Sequence, residues 1–158
     1  MKRIVFLLIF LGIIFFPVTW VSEKAAATPS LNEETGFVKE EQNMMIIELT
    51  ANGKTTVFEL NNSRASRELY DQLPLSVKVE DFGGNEKIFY PPDKLDTAGT
   101  PLASNNTVGS LAYYAPWGDV VMFYGDFGSA AGLYALGRSV SGEQYIKDMA
   151  GTVRIEKK

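Results

Sequence analysis

The side chains best suited to chemistry in this chain are aromatic. Tyr90, Tyr113, Tyr114, Trp117, Phe123, Tyr124 and Phe127 gather in one stretch of the sequence. Rings with a polar tip line pockets for apolar or proline-containing ligands, through stacking and a few hydrogen bonds. The bland use of the same rings is to fill a small core, and Phe123, inside an apolar run, fits that use best. Trp117 stands in a Pro-Trp-Gly turn that a strand core cannot swallow, so it is expected at the mouth of a cavity. Tyr113 and Tyr114 are neighbours on one expected strand and point to opposite faces, so at most one of them faces a barrel interior. An arginine beside a pocket clamps or polarises a carbonyl. Arg138 follows an apolar strand, and Arg64 and Arg67 sit on an expected helix; solvation at the surface is the ordinary use of all three. The expected ligand-contacting set is Tyr90, Tyr113, Trp117, Tyr124, Phe127 and Arg138, with no catalytic residue assigned.

Other chemistries are excluded by residue type. The chain has 0 histidines, so it lacks the commonest general base and metal ligand, and no Ser-His-Asp triad can form. It has 0 cysteines, hence no thiol nucleophile, thiolate ligand, redox pair or lipid-modified cysteine. No metal or cofactor is expected. Asp119 and Asp126 flank an apolar run and read as paired carboxylates, but turn chemistry accounts for both. Gly125, Gly128 and Gly132 do not make a phosphate loop, because no lysine or Ser/Thr pattern accompanies them.

These residues need elements to position them, and the first segment of the chain is not one of them. Lys2 and Arg3 precede an apolar run from Ile4 to Phe16, Pro17 breaks it, and Ala25-Ala26-Ala27 supplies small residues for cleavage. That order is an export signal. The run is shorter than the roughly twenty residues of a membrane span, though residues 4–21 together offer an uncleaved anchor as the alternative. The expectation is a signal peptide over 1–27, a polar acidic linker over 28–42, and one domain over 43–158, secreted or otherwise extracytoplasmic, touching membrane only through the N-terminal segment. Residues 1–27 hold three of the 15 basic and one of the 19 acidic side chains, so without them the formal charge moves from −4 to −6. Such a surface repels phosphate backbones, which argues against nucleic acid as a partner.

From Met44 onward the pattern is that of strands. Met45, Ile47 and Leu49 alternate, Asn52-Gly53 marks a hairpin, and Phe58 and Leu60 return. Asn62-Ser63 caps a helix bearing Ala65, Leu69 and Leu73, which Pro74 ends. Leu75 to Val79, then Ile88 to Tyr90 after Gly83-Gly84-Asn85, read as strands. Residues 91–109 form a long loop, of the kind that is often functional or mobile. Ser110 to Ala115, the fully apolar Val120 to Tyr124, Leu133 to Val140, and Val153 with Ile155 complete the strands. Ser141 with Gln144 suggests a capping box for a second short helix. About eight short strands and two helices favour a mainly β, closed barrel or a sandwich.

The segments QLPLSVKVEDFGGNEKIFY (72–90), GSLAYYAPWGDVVMFYGDF (109–127) and GLYALGR (132–138) resemble bacterial cyclophilin-like domains, a group related by fold to peptidyl-prolyl isomerases. The resemblance runs from about Met44 to Glu156 and implies a cyclophilin-like closed β-barrel with a helix over each open end. It carries no catalytic residue with it. The isomerases place an arginine close to a Phe-Met-x-Gln-Gly-Gly-Asp stretch, with a histidine elsewhere in the groove. The chain offers Asp81-Phe82-Gly83-Gly84-Asn85 with no arginine nearby.

Three readings follow. The first is a binding module, holding a peptide or small apolar ligand in an aromatic groove. The second is a peptidyl-prolyl isomerase of exported proteins, with an arginine outside the usual motif as electrophile; twisting an amide needs electrostatic stabilisation and no nucleophile. The third is a structural domain without ligand. An arginine projecting into the groove favours the second, and a barrel filled by its own side chains favours the third.

Overall fold

Asn52 and Gly53 take φ of 51° and 74°, the two left-handed residues that a two-residue hairpin turn demands. They fold β1 (Met45–Ala51) back on β2 (Lys54–Leu60). Ser63 opens α1 (Arg64–Asp71) by accepting the Ser66 amide on its hydroxyl, which satisfies one orphan donor of the first turn. β3 (Leu75–Phe82) and β4 (Glu86–Phe89) flank the Gly83-Gly84-Asn85 turn, and β5 (Ser110–Tyr114) and β6 (Asp119–Phe123) flank the Trp117 turn. β7 (Leu133–Ser141), a 3-10 helix (Glu143–Asp148) and β8 (Gly151–Lys157) complete the order. This computed structural model describes residues 44–104 and 107–158. The expected signal segment and linker lie outside the described residues. No helix among the described residues is long and apolar enough to cross a membrane.

The strands form a mainly β closed barrel in the order β1-β2-β7-β5-β6-β4-β3-β8, with β8 pairing β1 to shut it. Every pairing is antiparallel. Closure leaves no edge strand to recruit another chain. One pairing is a crossover: β6 inserts between β5 and β4, so the long segment after β4 must travel around it.

Side chains alternate across each strand, and two buried clusters result. The interior holds Ile47, Leu49, Phe58, Phe89, Leu111, Tyr113, Val120, Met122, Leu136 and Ile155 among others, joined by Leu69 from α1 and Ile146 from the 3-10 helix. It is filled by the protein's own side chains. The second cluster lies on the outer face of β4, β5, β6 and β7: Ile88, Ala112, Val121, Phe123 and Leu133, with Ala103 from the long loop. All of β6 is therefore buried, as a strand covered on both faces must be.

The long loop is pinned over much of its length. The Leu95 amide donates to the Tyr113 hydroxyl at 3.1 Å, and the Asp96 amide to Glu68 Oε2 at 2.6 Å. Beyond the end of β2, Leu102 pairs with Tyr134, giving Ala103 and Ala135 their backbone partners.

The second helix differs from the capping-box expectation. Ser141 ends β7, and the 3-10 turn starts from Gly142 at φ 74° with no side-chain cap. A Cβ there would run into the Thr55 carbonyl, and the Thr56 hydroxyl donates to the Gly142 carbonyl at 2.8 Å. The close approach of β2 fixes a left-handed backbone that glycine takes freely, and the cap loses to it.

Candidate functional site

Three turns converge over the outer face of β4 and β6. The first is the β3–β4 turn, whose Asn85 carbonyl accepts from the amides of Tyr124 and Gly125 at 2.9 and 3.0 Å. Its side chain donates to the Asp126 carbonyl at 3.2 Å. Asn85 thereby holds the second segment, 125–132, against the strand ends and lays Phe127 flat on Phe123 in a parallel stack. The third is the Pro116-Trp117-Gly118 turn, closed by the Trp117 and Gly118 amides donating to the Tyr114 carbonyl. Gly118 takes φ 80° there, the conformation this turn needs from a residue without Cβ.

Between them lies a pocket of about 270 Å³, lined by Phe82, Asn85, Glu86, Tyr114, Trp117, Asp119, Val121, Phe123, Phe127, Gly128, Ala130 and Leu133. The volume suits one side chain or a small molecule, being just under the size of drug-sized ligand sites. Trp117 meets both Phe82 and Tyr114 edge to face, with centroids 5.1 and 5.4 Å apart. Those contacts fix the ring while leaving it 51% exposed.

Two carboxylates share this apolar pocket. Asp119 is 2% exposed, and its Oδ1 has no hydrogen-bond partner among the described residues. Burial holds its carboxyl above the usual aspartate range. Glu86 is raised too, first by burial and then by the Asp119 charge. Neither carboxylate has a basic side chain within ion-pair distance among the described residues.

The residues expected at the site separate into groups. Trp117 and Phe127 line the pocket together. Tyr113 and Tyr114 do point opposite ways, and the pocket takes Tyr114. Tyr113 is an interior residue, 1% exposed, whose hydroxyl holds the Leu95 amide. Tyr124 also faces the interior side, at the barrel's mouth, where its hydroxyl donates to Asp81 at 3.2 Å. Lys87, nearly buried, reaches the same aspartate at 2.7 Å and passes 5.9 Å from the Tyr124 ring. Tyr90 lies beyond β4, 53% exposed and away from the pocket lining. Arg138 is exposed on β7, opposite Glu59 and Ser110. Arg64 pairs with Glu68 and Asp96, and Arg67 donates to Asn62. Among the described residues no arginine lines the pocket.

Sequence reasoning missed Glu86 and gave Asp119 and Asp126 to turn chemistry. Asp126 takes part through its backbone carbonyl. Phe82 and Glu86 reach the pocket because β4 lies beside β6, and that crossover has no signal in the local sequence. Among the described residues no group of three or more histidine, cysteine or acidic side chains is arranged to hold a metal.

The model of the cyclophilin-like family matches residues 49–157. Among solved structures, the chain is similar to a hypothetical protein of Archaeoglobus fulgidus determined in solution, with a TM-score of 0.58 and 18% identity, over 76% of this chain and 99% of that one. At that identity the likeness shows a shared fold alone. No protein with a curated description matches the chain.

Proposed function

The chain belongs to the cyclophilin-like family, and from that premise we propose that it is an extracytoplasmic binding domain whose outer-face pocket holds a peptide or a small apolar ligand. The observation that carries this reading is Trp117. It is half-exposed, gripped edge-on by Phe82 and Tyr114, and set at the rim of an apolar pocket. An aromatic anchor already immobilised loses little side-chain freedom when it binds. Support for action outside the cytoplasm is the charge, apolar run and small-residue exit of residues 1–27.

The isomerase reading lacks an electrophile at this pocket, because no arginine among the described residues lines it. The filled interior suits a purely structural domain, but the pocket lies outside that interior, on the other face of the sheet.

In a chain beginning at Thr28, Trp117 is the sole tryptophan, so its emission reports on the pocket directly. Short proline-containing peptides and small apolar ligands are expected to shift that emission saturably, and Phe127→Ala to abolish the shift. A coupled assay on X-Pro peptides should show no acceleration. Emission unmoved by every such ligand would contradict the binding reading. Intact mass of protein recovered outside the cytoplasm should correspond to a start at Thr28, and full-length chain found only in the cytosol would contradict the export reading.

A further inference from the structure

A buried carboxylate without a partner is costly, because it has left water and gained no donor in exchange. Asp119 comes close to that condition: it is 2% exposed, its Oδ1 is unpaired among the described residues, and the carboxyl has its own backbone amide as a donor; it lines the pocket rather than the closed interior. A structural role would be served by asparagine or by a nearby lysine. The Lys94 stem runs beside Gly118, and it makes no ion pair with Asp119 among the described residues. Five of the other lining residues are aromatic, and rings present a negative face to a cation.

We infer that the pocket takes an alkylammonium group, its charge set against Asp119 and Glu86 and its carbon atoms against Phe82, Trp117 and Phe127. This rests on the binding reading above and names the chemistry of the ligand. A neutral apolar ligand would bury both carboxylates deeper, give neither an ion-pair partner and leave Asp119 Oδ1 without a donor. A bare metal ion is unsuited, since hard cations take many oxygen ligands and no group of three or more acidic side chains is arranged to hold one among the described residues. An alkylammonium group gives donors or charge at one end and methyl or methylene surface at the other. The aromatic walls then add cation–π attraction, which desolvation strengthens. The acidic balance of the chain, −4 overall, draws such a ligand in. Burial already holds both carboxyls up, and a bound cation, which favours their ionised forms, should draw them back down.

The test is calorimetric titration of the purified chain with choline and with 3,3-dimethylbutan-1-ol, which has the same shape and no charge. Choline is expected to bind at least tenfold more tightly. Asp119→Asn should remove the difference, and Glu86→Gln should reduce it. Asp119→Asn should remain folded, since it relieves a buried charge, and its thermal unfolding checks that. A second pair of probes distinguishes the source of the cation: a capped Gly-Lys-Gly peptide and its norleucine counterpart. Tighter binding of the lysine peptide than of choline assigns the site to a basic side chain; the reverse assigns it to a free amine, and either result upholds the inference. Equal binding of charged and neutral members in both pairs would overturn it while leaving the pocket as an apolar site. Absence of binding by all four probes would overturn it as well, and Trp117 emission with neutral apolar ligands then decides the broader reading separately.

Discussion

Phe82, the last residue of β3, meets Trp117 of the β5–β6 turn edge to face, with ring centroids 5.1 Å apart and planes at 86°. β4 and β6 lie between β3 and β5 in the barrel, so these two rings span the outer face of the strands that separate them. Tyr114 braces Trp117 from the other side. The pocket is thus roofed by side chains from elements that are distant in sequence and are brought together only by the crossover.

Trp117→Ala should lose those two edge contacts, at roughly 0.5–1.5 kcal/mol each, and so about 1–3 kcal/mol of stability. Phe58→Ala, in the filled interior, should cost about 3–5 kcal/mol. Urea unfolding of both variants makes the comparison. Binding should weaken by about 1–3 kcal/mol in Trp117→Ala. An equal stability loss in the two variants would mean that Trp117 is part of the core.

Tyr113→Phe removes the acceptor for the buried Leu95 amide. The expected cost is about 1–2 kcal/mol, and the Leu95 amide should lose its hydrogen-exchange protection. Ligand affinity should stay within about twofold, because Tyr113 lies inside the barrel and the pocket outside it.

The alternation of Ser110 to Tyr114 was enough to show that Tyr113 and Tyr114 part company, but not which goes inward. Both faces of β5 are apolar, Leu111 with Tyr113 on one and Ala112 with Tyr114 on the other, and both are buried or covered. The Asn52-Gly53 hairpin, the Ser63 cap and the apolar run of β6 could be read locally, because each is decided by its own residues. Glu86 could not. Its place beside Phe123 follows from the insertion of β6 between β4 and β5, a long-range pairing. Asp119 was visible as a turn residue; the lack of a partner for its Oδ1 among the described residues is a property of the assembled pocket.

Stability should also depend on pH in an uncommon direction. Asp119 and Glu86 are held above the ordinary carboxylate range, first of all by burial. The unfolded chain ionises them near pH 4, so above that the folded state holds more protons and stability falls as pH rises. Asp81 and Asp148 act oppositely. Hydrogen bonds from Lys87 and Lys54 hold them below the usual range, so their contribution is present above about pH 4 and lost only below it. Urea midpoints should therefore decline as pH rises above about 4. Asp119→Asn should flatten the decline and add about 1 kcal/mol at pH 7. A midpoint that rises over this range in the parent protein would contradict the burial of an ionisable pair in the pocket.

The most direct test of the account is amide chemical-shift mapping during titration with short proline-containing and lysine-containing peptides. The perturbed amides should be those of Phe82–Glu86, Trp117–Asp119 and residues 125–130, together with the Trp117 indole N–H. Shifts centred instead on Arg138, or on the cleft between Met45 and Tyr70 beside α1, or no shift with any peptide, would contradict the claim that the outer-face pocket is where this domain binds.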